Sequence, residues 1–268
     1  MFPIIYILGK EISVYAILAL IGILICGTIA VKQAKRNHIE DYNMMTFLLF
    51  CGLGGFLGSH LLYGIINLPI IIKVMNNLSI ITSFEYAVQL FVLIFGGAVF
   101  YGGLIGGLAV GFAYLKITKK NSFDYFVIVT PLIPLFHAFG RLGCFFGGCC
   151  YGIESNFGFI FTNSLIESAN GVRRFPVQLL EMAVLLVLFT VFFIMYKKKF
   201  LKKILLPLYL ISYGVCRFFI EFLRGDEYRG FVFNMSTSQF ISVIIVAICL
   251  VAIAIKCYHF KQKRVIEK

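Results

Sequence analysis

The chain contains no tryptophan, and only 13% of its 268 residues are charged, whereas 60% are hydrophobic. Soluble domains carry roughly 25% charged residues, so this composition excludes an ordinary water-soluble enzyme or binding module. The apolar residues fall in long blocks, several of which exceed the ~18 residues that mark a membrane-spanning helix. Without tryptophan, an interfacial aromatic belt has to come from the 14 Tyr and 30 Phe.

The net charge of +12 does not indicate a nucleic-acid partner. Lys and Arg form short clusters at the ends of apolar blocks, where they anchor helices and meet anionic lipid headgroups. The first apolar block has no basic stretch before it and no small-residue cleavage site after it, so we do not predict a cleavable signal peptide.

Seven apolar blocks predict an all-α, polytopic membrane protein that forms a single transmembrane domain over residues 1–268, with a polar outer loop at about 147–176. One uncharged stretch is too long for a single crossing, and we expect Gly96 and Gly97 to break it. The predicted spans cover 14–31, 44–66, the stretch from this break to 115, 123–146, 177–196, 204–223 and 238–257.

The distribution of positive charge predicts the orientation of the chain. Of the 24 Lys and Arg, 16 follow the first, third, fifth and seventh spans, and 6 lie on the opposite side. Loops rich in Lys and Arg stay in the cytoplasm, so we expect the N-terminus outside and the C-terminus inside.

Ionisable side chains inside predicted spans are candidate functional groups, because each costs at least ~2.5 kcal/mol when it faces lipid. Arg217 and Glu221 are four residues apart on one helical face, and the simplest interpretation is a mutually neutralising pair that helps the bundle to pack. Arg141 has no acidic neighbour in its own span. We favour an anionic lipid phosphate as its partner over a salt bridge to Glu181 or Glu221, because a guanidinium binds phosphate in a bidentate manner.

Two further patterns leave alternatives open. Glycines from Gly96 to Gly111 indicate close helix packing, or else a surface that admits an acyl chain or headgroup. Cys144, Cys149 and Cys150 suggest packing, a disulfide, or a nucleophile or metal ligand. Because adjacent cysteines point apart in regular structure, we favour packing and predict no metal site and no cofactor.

Several motifs, in order, resemble the prolipoprotein diacylglyceryl transferases of bacteria. The signature is the segment from Gly140-Arg141 through Gly143 and Cys144 to Tyr151-Gly152. Downstream, Arg174-Phe-Pro-Val-Gln-Leu-Leu-Glu181 and the Gly214-to-Asp226 segment, which contains Arg217, Glu221 and Arg224, are similar to later motifs of that family. Tyr15 and the Tyr101-to-Gly107 run also align, so the resemblance covers about residues 12–245.

The resemblance implies a multi-pass enzyme of the bacterial cell membrane. It would move a diacylglyceryl group from phosphatidylglycerol to the thiol of a lipobox cysteine in a lipoprotein precursor, with phosphatidylglycerol, the precursor and membrane lipid as partners. Catalytic roles are expected for Arg141, Arg217, Glu221, His137 and Tyr101. Substrate binding is expected for Tyr15, His60, Gly102, Gly103, Gly140, Gly143, Cys144, Gly152, Glu181 and Arg224.

The chain departs from the family pattern mainly at groups that handle protons. Tyr101 stands where the family usually has His, His60 stands in place of an Arg, and Cys144 and Cys149 replace the usual Asn and Glu. We therefore expect Arg141 and Arg217 to hold the phosphate, and His137 or Tyr101 to take the thiol proton. The alternatives are a relative that acts on another acceptor and a non-enzymatic membrane protein that binds anionic lipid.

Overall fold

Apolar helices make up most of the chain. A computed structural model describes residues 2–7, 9–77, 83–164, 166–226 and 230–266, so Arg229, which was counted on the outer side, lies outside the described residues. The helices are α1 (Val14–Arg36), α2 (Asp41–Ile66), α3 (Leu68–Met75), α4 (Phe84–Phe95), α5 (Phe100–Ile117), α6 (Ser122–Val129), α7 (Leu132–Gly147), α8 (Val177–Lys197), α9 (Leu205–Ile220) and α10 (Thr237–Ile266).

The helices confirm the predicted number of membrane spans. In the described part of the chain, six helical segments are long and apolar enough to cross a bilayer, and the bent pair α6–α7 supplies a seventh span. Large apolar side chains such as Leu20, Ile23 and Leu24 are exposed along α1, as expected for a helix that contacts lipid. The break at Gly96 and Gly97 is also confirmed, because α4 ends at Phe95 and α5 begins at Phe100.

The fourth span is not the continuous helix that the sequence predicts over 123–146. It bends by 41° between α6 and α7. Pro131 lies at the break, where its ring and missing N–H interrupt the helical hydrogen-bond ladder. Thr130, which precedes the proline, donates its hydroxyl to the Phe126 carbonyl at 2.6 Å. The bend sets the direction in which α7 presents its side chains.

The chain divides into two compact units, and the assignment of residues 1–268 to one transmembrane domain stays a prediction. One unit is Ala34–Ser122. Its main contact joins α2 and α5. A Cβ at Gly58 would overlap the Gly102 carbonyl, and one at Gly54 would lie 2.5 Å from the Gly106 carbonyl. Glycine spacing therefore lets these two backbones touch, which supports the close-packing interpretation.

The other unit comprises Met1–Gln33 and Phe123–Lys268. Within it, α7 packs on α8, α8 packs on α9, and α9 packs on α10. Tyr209, Phe192 and Leu185 are almost fully buried between these helices. The Phe192 and Tyr209 rings meet edge to face, with centroids 5.7 Å apart. The buried charged side chains lie on the layer formed by α7, α8 and α9.

Three antiparallel hairpins supplement the helices. They are β1 (Ile4–Ile7) with β2 (Lys10–Ser13), β3 (Glu154–Ile160) with β4 (Arg173–Arg174), and β5 (Phe231–Val232) with β6 (Met235–Ser236). The loop between α7 and α8 is folded around Tyr151, Phe161 and Ala169. The buried Arg174 guanidinium donates to backbone carbonyls of this loop and lies 4.2 Å from the Tyr151 ring centroid.

Candidate active site

Glu181 is the centre of a buried cluster of charges on α7, α8 and α9. Its Oε1 lies 3.1 Å from Arg141 Nη2, and its Oε2 lies 3.2 Å from Arg217 Nη1. The Tyr213 hydroxyl also donates to Oε1 at 3.3 Å. Arg141 therefore forms a cross-helix salt bridge to Glu181. From the sequence we favoured a lipid phosphate as its partner over this salt bridge. The two guanidiniums are held on either side of one carboxylate.

The cluster is electrically balanced. Arg217 Nη2 lies 2.5 Å from Glu221 Oε2, which confirms the predicted i, i+4 pair, and it also donates to Ser238 Oγ on α10 at 3.2 Å. All four charged side chains are at least nine-tenths buried. Two positive and two negative charges at this depth neutralise one another, and removal of one partner from such a pair costs about 3–5 kcal/mol.

His137 lies one turn before Arg141 and is hydrogen-bonded to it. Arg141 Nε donates to His137 Nε2 at 3.2 Å, and the imidazole faces the Tyr213 ring with centroids 5.4 Å apart. The lone pair of Nε2 is occupied by this bond, so a proton placed on Nε2 would displace the guanidinium. The geometry supports a role for His137 in orienting Arg141, and it does not favour Nε2 as the base that takes the thiol proton.

Tyr15 lies over the glycine face of α7. A Cβ at Gly143 would lie 2.7 Å from Tyr15 Cδ2, and one at Gly140 would lie 3.9 Å from the Tyr15 hydroxyl. The absence of side chains at these positions lets the start of α1 approach α7 closely. Tyr15 is 46% exposed, so part of this residue is accessible beside the glycine face of α7.

Arg224 and Gly152 are joined just beyond the C-terminal end of α9. Gly152 and Arg224 form an antiparallel bridge, and Gly225 N donates to the Tyr151 carbonyl at 3.0 Å. A Cβ at Gly152 would overlap the Phe175 carbonyl, so this glycine has a packing role. The Arg224 guanidinium is paired with Asp226, with Nε donating to Oδ1 at 2.8 Å.

The three signature cysteines come together at the C-terminal end of α7, contrary to the expectation that Cys149 and Cys150 point apart. The Sγ atoms of Cys144, Cys149 and Cys150 all lie within 4.8 Å of one another. The reason is local backbone conformation. Gly148 ends α7 with φ 71°, and Cys150 adopts φ 54°, so neither residue continues the helix or forms a strand. All eight cysteines are free thiols in the structure.

Cys150 lies in the turn after α7. Its pKa lies well below the ordinary value because of its hydrogen bonds with the thiols of Cys144 and Cys149. Positive charge on Arg224 and Arg141 lowers the pKa further, and these effects outweigh burial, which raises it.

Four predicted site residues belong to the unit Ala34–Ser122. His60 Nδ1 lies 2.7 Å from the Phe95 carbonyl, which gives this ring a structural contact between α2 and the end of α4. Tyr101 is buried near the start of α5. Gly102 packs against the α2 backbone, and a Cβ at Gly103 would lie 3.3 Å from the Gly55 carbonyl. Substrate roles for His60, Gly102 and Gly103, and a catalytic role for Tyr101, stay predictions.

The structure adds residues that the sequence reasoning did not select. Tyr213 and Ser238 complete the hydrogen bonds of the charge cluster, and Asp226 pairs with Arg224. Gln178 donates to the Cys149 carbonyl at 2.8 Å. Tyr213 precedes Arg217 by four residues on α9, so helical spacing was a signal for it. Ser238, from another helix, gave no such signal.

The fold and these contacts define a polytopic membrane protein whose most unusual feature is a buried, balanced cluster of Arg and Glu beside three thiols. A family model described as prolipoprotein diacylglyceryl transferase matches residues 3–255. The chain belongs to this family.

Curated relatives agree with this assignment over most of the chain. A phosphatidylglycerol–prolipoprotein diacylglyceryl transferase of Clostridium tetani is 32% identical, over 90% of this chain and 91% of the relative. A protein of Clostridium perfringens with the same name and the suffix 2 is 32% identical over 89% of both chains. A Francisella tularensis protein of that name is 31% identical over 84% of this chain and 81% of the relative.

Proposed function

We propose that this protein transfers the diacylglyceryl group of phosphatidylglycerol to the thiol of a lipobox cysteine in a lipoprotein precursor, at a bacterial cell membrane. The observation that carries the proposal is the Arg141 guanidinium, which is buried, fixed by Glu181 and His137, and located in a chain of this family. Membership of the family supplies the reaction class, and the buried cluster supplies groups that suit a phosphate leaving group.

Arg141 retains hydrogen-bonding capacity for a ligand. Nε and Nη2 are engaged by His137 and Glu181. Neither of these two contacts uses Nη1, whose two N–H groups are proposed to donate to a phosphate oxygen. A guanidinium fixed on one edge is pre-organised to bind an anion on the other, because little side-chain freedom is lost on binding.

The reaction makes one bond and breaks one bond. The acceptor sulfur attacks the glyceryl carbon that carries the phosphate, the S–C bond forms, and the C–O bond to phosphate breaks. The electron pair leaves with glycerol phosphate, and the thiol proton is lost to a base or to solvent. Arg141 stabilises the charge that develops on the departing phosphate, and Glu181 keeps the guanidinium in position.

The acceptor would be recognised at the outer face. The folded loop between α7 and α8 carries exposed apolar side chains, including Phe157, Phe159 and Ile160. These suit contact with lipid or with the apolar segment of a precursor. If Lys10 and this loop face outside, as the charge distribution predicts, the transfer takes place at the outer surface of the membrane.

The test is transfer in vesicles. Purified protein is reconstituted with phosphatidylglycerol labelled in its glyceryl and acyl groups, and a lipobox peptide with one cysteine is added. We expect label on the peptide, release of glycerol phosphate, and no label on a Cys→Ser peptide. Vesicles of phosphatidylethanolamine are the donor control. Binding of phosphatidylglycerol without transfer to any thiol peptide would show a lipid-binding protein and would refute the proposed activity.

A further inference from the structure

The three clustered thiols have the composition and spacing of a zinc site. Cys144, Cys149 and Cys150 place their Sγ atoms within 4.8 Å of one another. Three sulfur ligands at the usual Zn–S distance of about 2.3 Å lie about 3.8 Å apart in a tetrahedral site. Side-chain shifts of about 1 Å or less would therefore bring all three sulfurs onto one ion.

The backbone around the cluster is fixed, as a metal site requires. Cys149 N donates to the Cys144 carbonyl at 3.2 Å, and Gln178 Nε2 donates to the Cys149 carbonyl at 2.8 Å. Gln178 is 1% exposed, and its Oε1 has no hydrogen-bond partner among the described residues. A buried acceptor thus lies beside the cluster and is available to a hydrogen-bond donor of a bound ligand.

Cys150 has a left-handed backbone conformation. A φ of 54° is unfavourable for a residue with a side chain. A space-filling residue in this turn could be glycine or asparagine at lower conformational cost. This backbone conformation places the Cys150 sulfur beside those of Cys144 and Cys149.

We propose that Cys144, Cys149 and Cys150 bind one Zn²⁺, or a comparably thiophilic divalent ion, with the fourth position open for the thiol of the acceptor. Three protein ligands and one open position are the arrangement of catalytic zinc. This assignment replaces the sequence-based expectation of no metal. It rests on the proposed function for the identity of the acceptor, whereas the metal site itself does not depend on transfer.

Coordination at this site would remove the proton of the acceptor thiol. A metal-bound thiol is deprotonated outright. The thiol proton passes to solvent on coordination, the sulfur attacks the glyceryl carbon, and glycerol phosphate departs. Arg141 precedes Cys144 by three residues on α7, so the phosphate-binding guanidinium and the zinc-bound sulfur share one helical face.

Cobalt is the probe for the site, because Co²⁺ bound to thiolates gives an intense sulfur-to-metal absorption. The full chain is purified in detergent under reducing, oxygen-free conditions and titrated with Co²⁺, then with Zn²⁺. We expect one Co²⁺ per chain, with displacement by Zn²⁺. Serine variants of Cys144, Cys149 and Cys150 should each lose more than the 10- to 100-fold in affinity that removal of an outer-shell partner costs.

Cys249→Ser is the matched control, because Cys249 is a buried thiol on α10, outside the cluster. It should bind Co²⁺ as the unchanged protein does. A peptide with one cysteine should then intensify the thiolate absorption of the Co²⁺ form, and its serine analogue should not. No absorption in the unchanged chain, or absorption that survives all three cluster variants, would overturn the site.

Two outcomes separate the site from the proposed function. Stoichiometric Co²⁺ binding with a cysteine-dependent peptide response, but no lipid transfer, would support the metal site and refute the proposed transferase activity. Full transfer by metal-free protein in the presence of a chelator would support the transferase and overturn the zinc-activation proposal. A disulfide within the cluster that yields thiols unable to bind Co²⁺ after reduction would also overturn it.

Discussion

At the scale of single residues, Glu181 has the largest influence on the site. Its carboxylate forms salt bridges to Arg141 and Arg217 and accepts a hydrogen bond from the Tyr213 hydroxyl. One carboxylate therefore positions three side chains from two neighbouring helices. Since the cluster is balanced, its members hold one another in place without net charge. The site thereby combines a buried guanidinium with a fixed orientation, which is the requirement for stabilising a departing phosphate.

Replacement of Arg141 by Lys should reduce diacylglyceryl transfer by at least ~10-fold, equivalent to about 1.4 kcal/mol. Lysine keeps the charge, but it loses the planar fork that contacts His137, Glu181 and a phosphate at once. The measurement is the initial rate of label transfer in vesicles. Arg173→Lys, on an exposed residue of β4, is the control and should keep full activity. A fully active Arg141→Lys protein would mean that Arg141 acts only as a point charge or in packing.

A methyl group added at Gly143 should displace Tyr15, because the new Cβ would lie 2.7 Å from the Tyr15 ring and 3.2 Å from its Cα. Overpacking of this kind costs about 1–3 kcal/mol. We expect Gly143→Ala to lower the thermal midpoint in detergent and the transfer rate together. Gly147→Ala, at the end of the same helix and with nothing within 4 Å of the new Cβ, should change neither quantity. Equal behaviour of the two variants would contradict the proposed contact.

At the scale of elements, the glycines of α2 and α5 determine how closely these helices approach. Gly54 and Gly58 face Gly106 and Gly102 at backbone distance. Helices in lipid gain little from hydrophobic burial against each other, so van der Waals contact between backbones has to supply the association. The glycine run that the family resemblance linked to substrate therefore has a sufficient structural explanation.

Gly58→Ala should separate α2 from α5, because its Cβ would overlap the Gly102 carbonyl. We expect a loss of about 1–3 kcal/mol of stability, which outweighs the gain of up to about 1 kcal/mol in helix propensity. Gly52→Ala, on the same helix with open space around the new Cβ, should be neutral or slightly stabilising. Thermal unfolding in detergent compares the two. A Gly58→Ala protein as stable as Gly52→Ala would show that the backbones are not in contact.

The sequence predicted the membrane spans and the break at Gly96 and Gly97, but it did not predict the bend in the fourth span or the convergence of the three cysteines. Long apolar blocks indicate the spans, and Lys and Arg indicate their ends. Any helix that crosses a bilayer needs an apolar stretch of sufficient length with charged residues outside it. The 41° bend at Pro131 was missed because prolines are tolerated within spanning helices. The convergence of Cys144, Cys149 and Cys150 depends on left-handed backbone at two positions, one of which is not glycine, and no periodicity reports that conformation.

At the scale of the whole molecule, charge distribution predicts how the chain crosses the membrane. The 16-to-6 asymmetry of Lys and Arg favours an outer N-terminus and an inner C-terminus. This orientation places the cysteine turn and the folded loop between α7 and α8 on the outside. The proposed acceptor then reaches the thiols and Arg141 from the outer surface.

Lysine labelling in intact cells tests this orientation. A membrane-impermeant amine reagent should modify Lys10 but not the cluster Lys198, Lys199 and Lys203, whose residues are also exposed in the structure. Permeabilised cells should show modification of both regions, which controls for intrinsic reactivity. Peptide mass spectrometry gives the labelled fractions. Modification of the cluster in intact cells would reverse the orientation and move the proposed site to the cytoplasmic side.

The salt bridge between Arg141 and Glu181 also constrains how the protein is made. Arg141 is synthesised about 40 residues before Glu181, and an unpaired Arg within a span is costly to insert, by up to about 2.5–3.5 kcal/mol at the centre of a helix. We therefore expect α7 to leave the insertion machinery together with α8, as a neutral pair. A ribosome-bound chain that ends before α8 should then remain with the translocon.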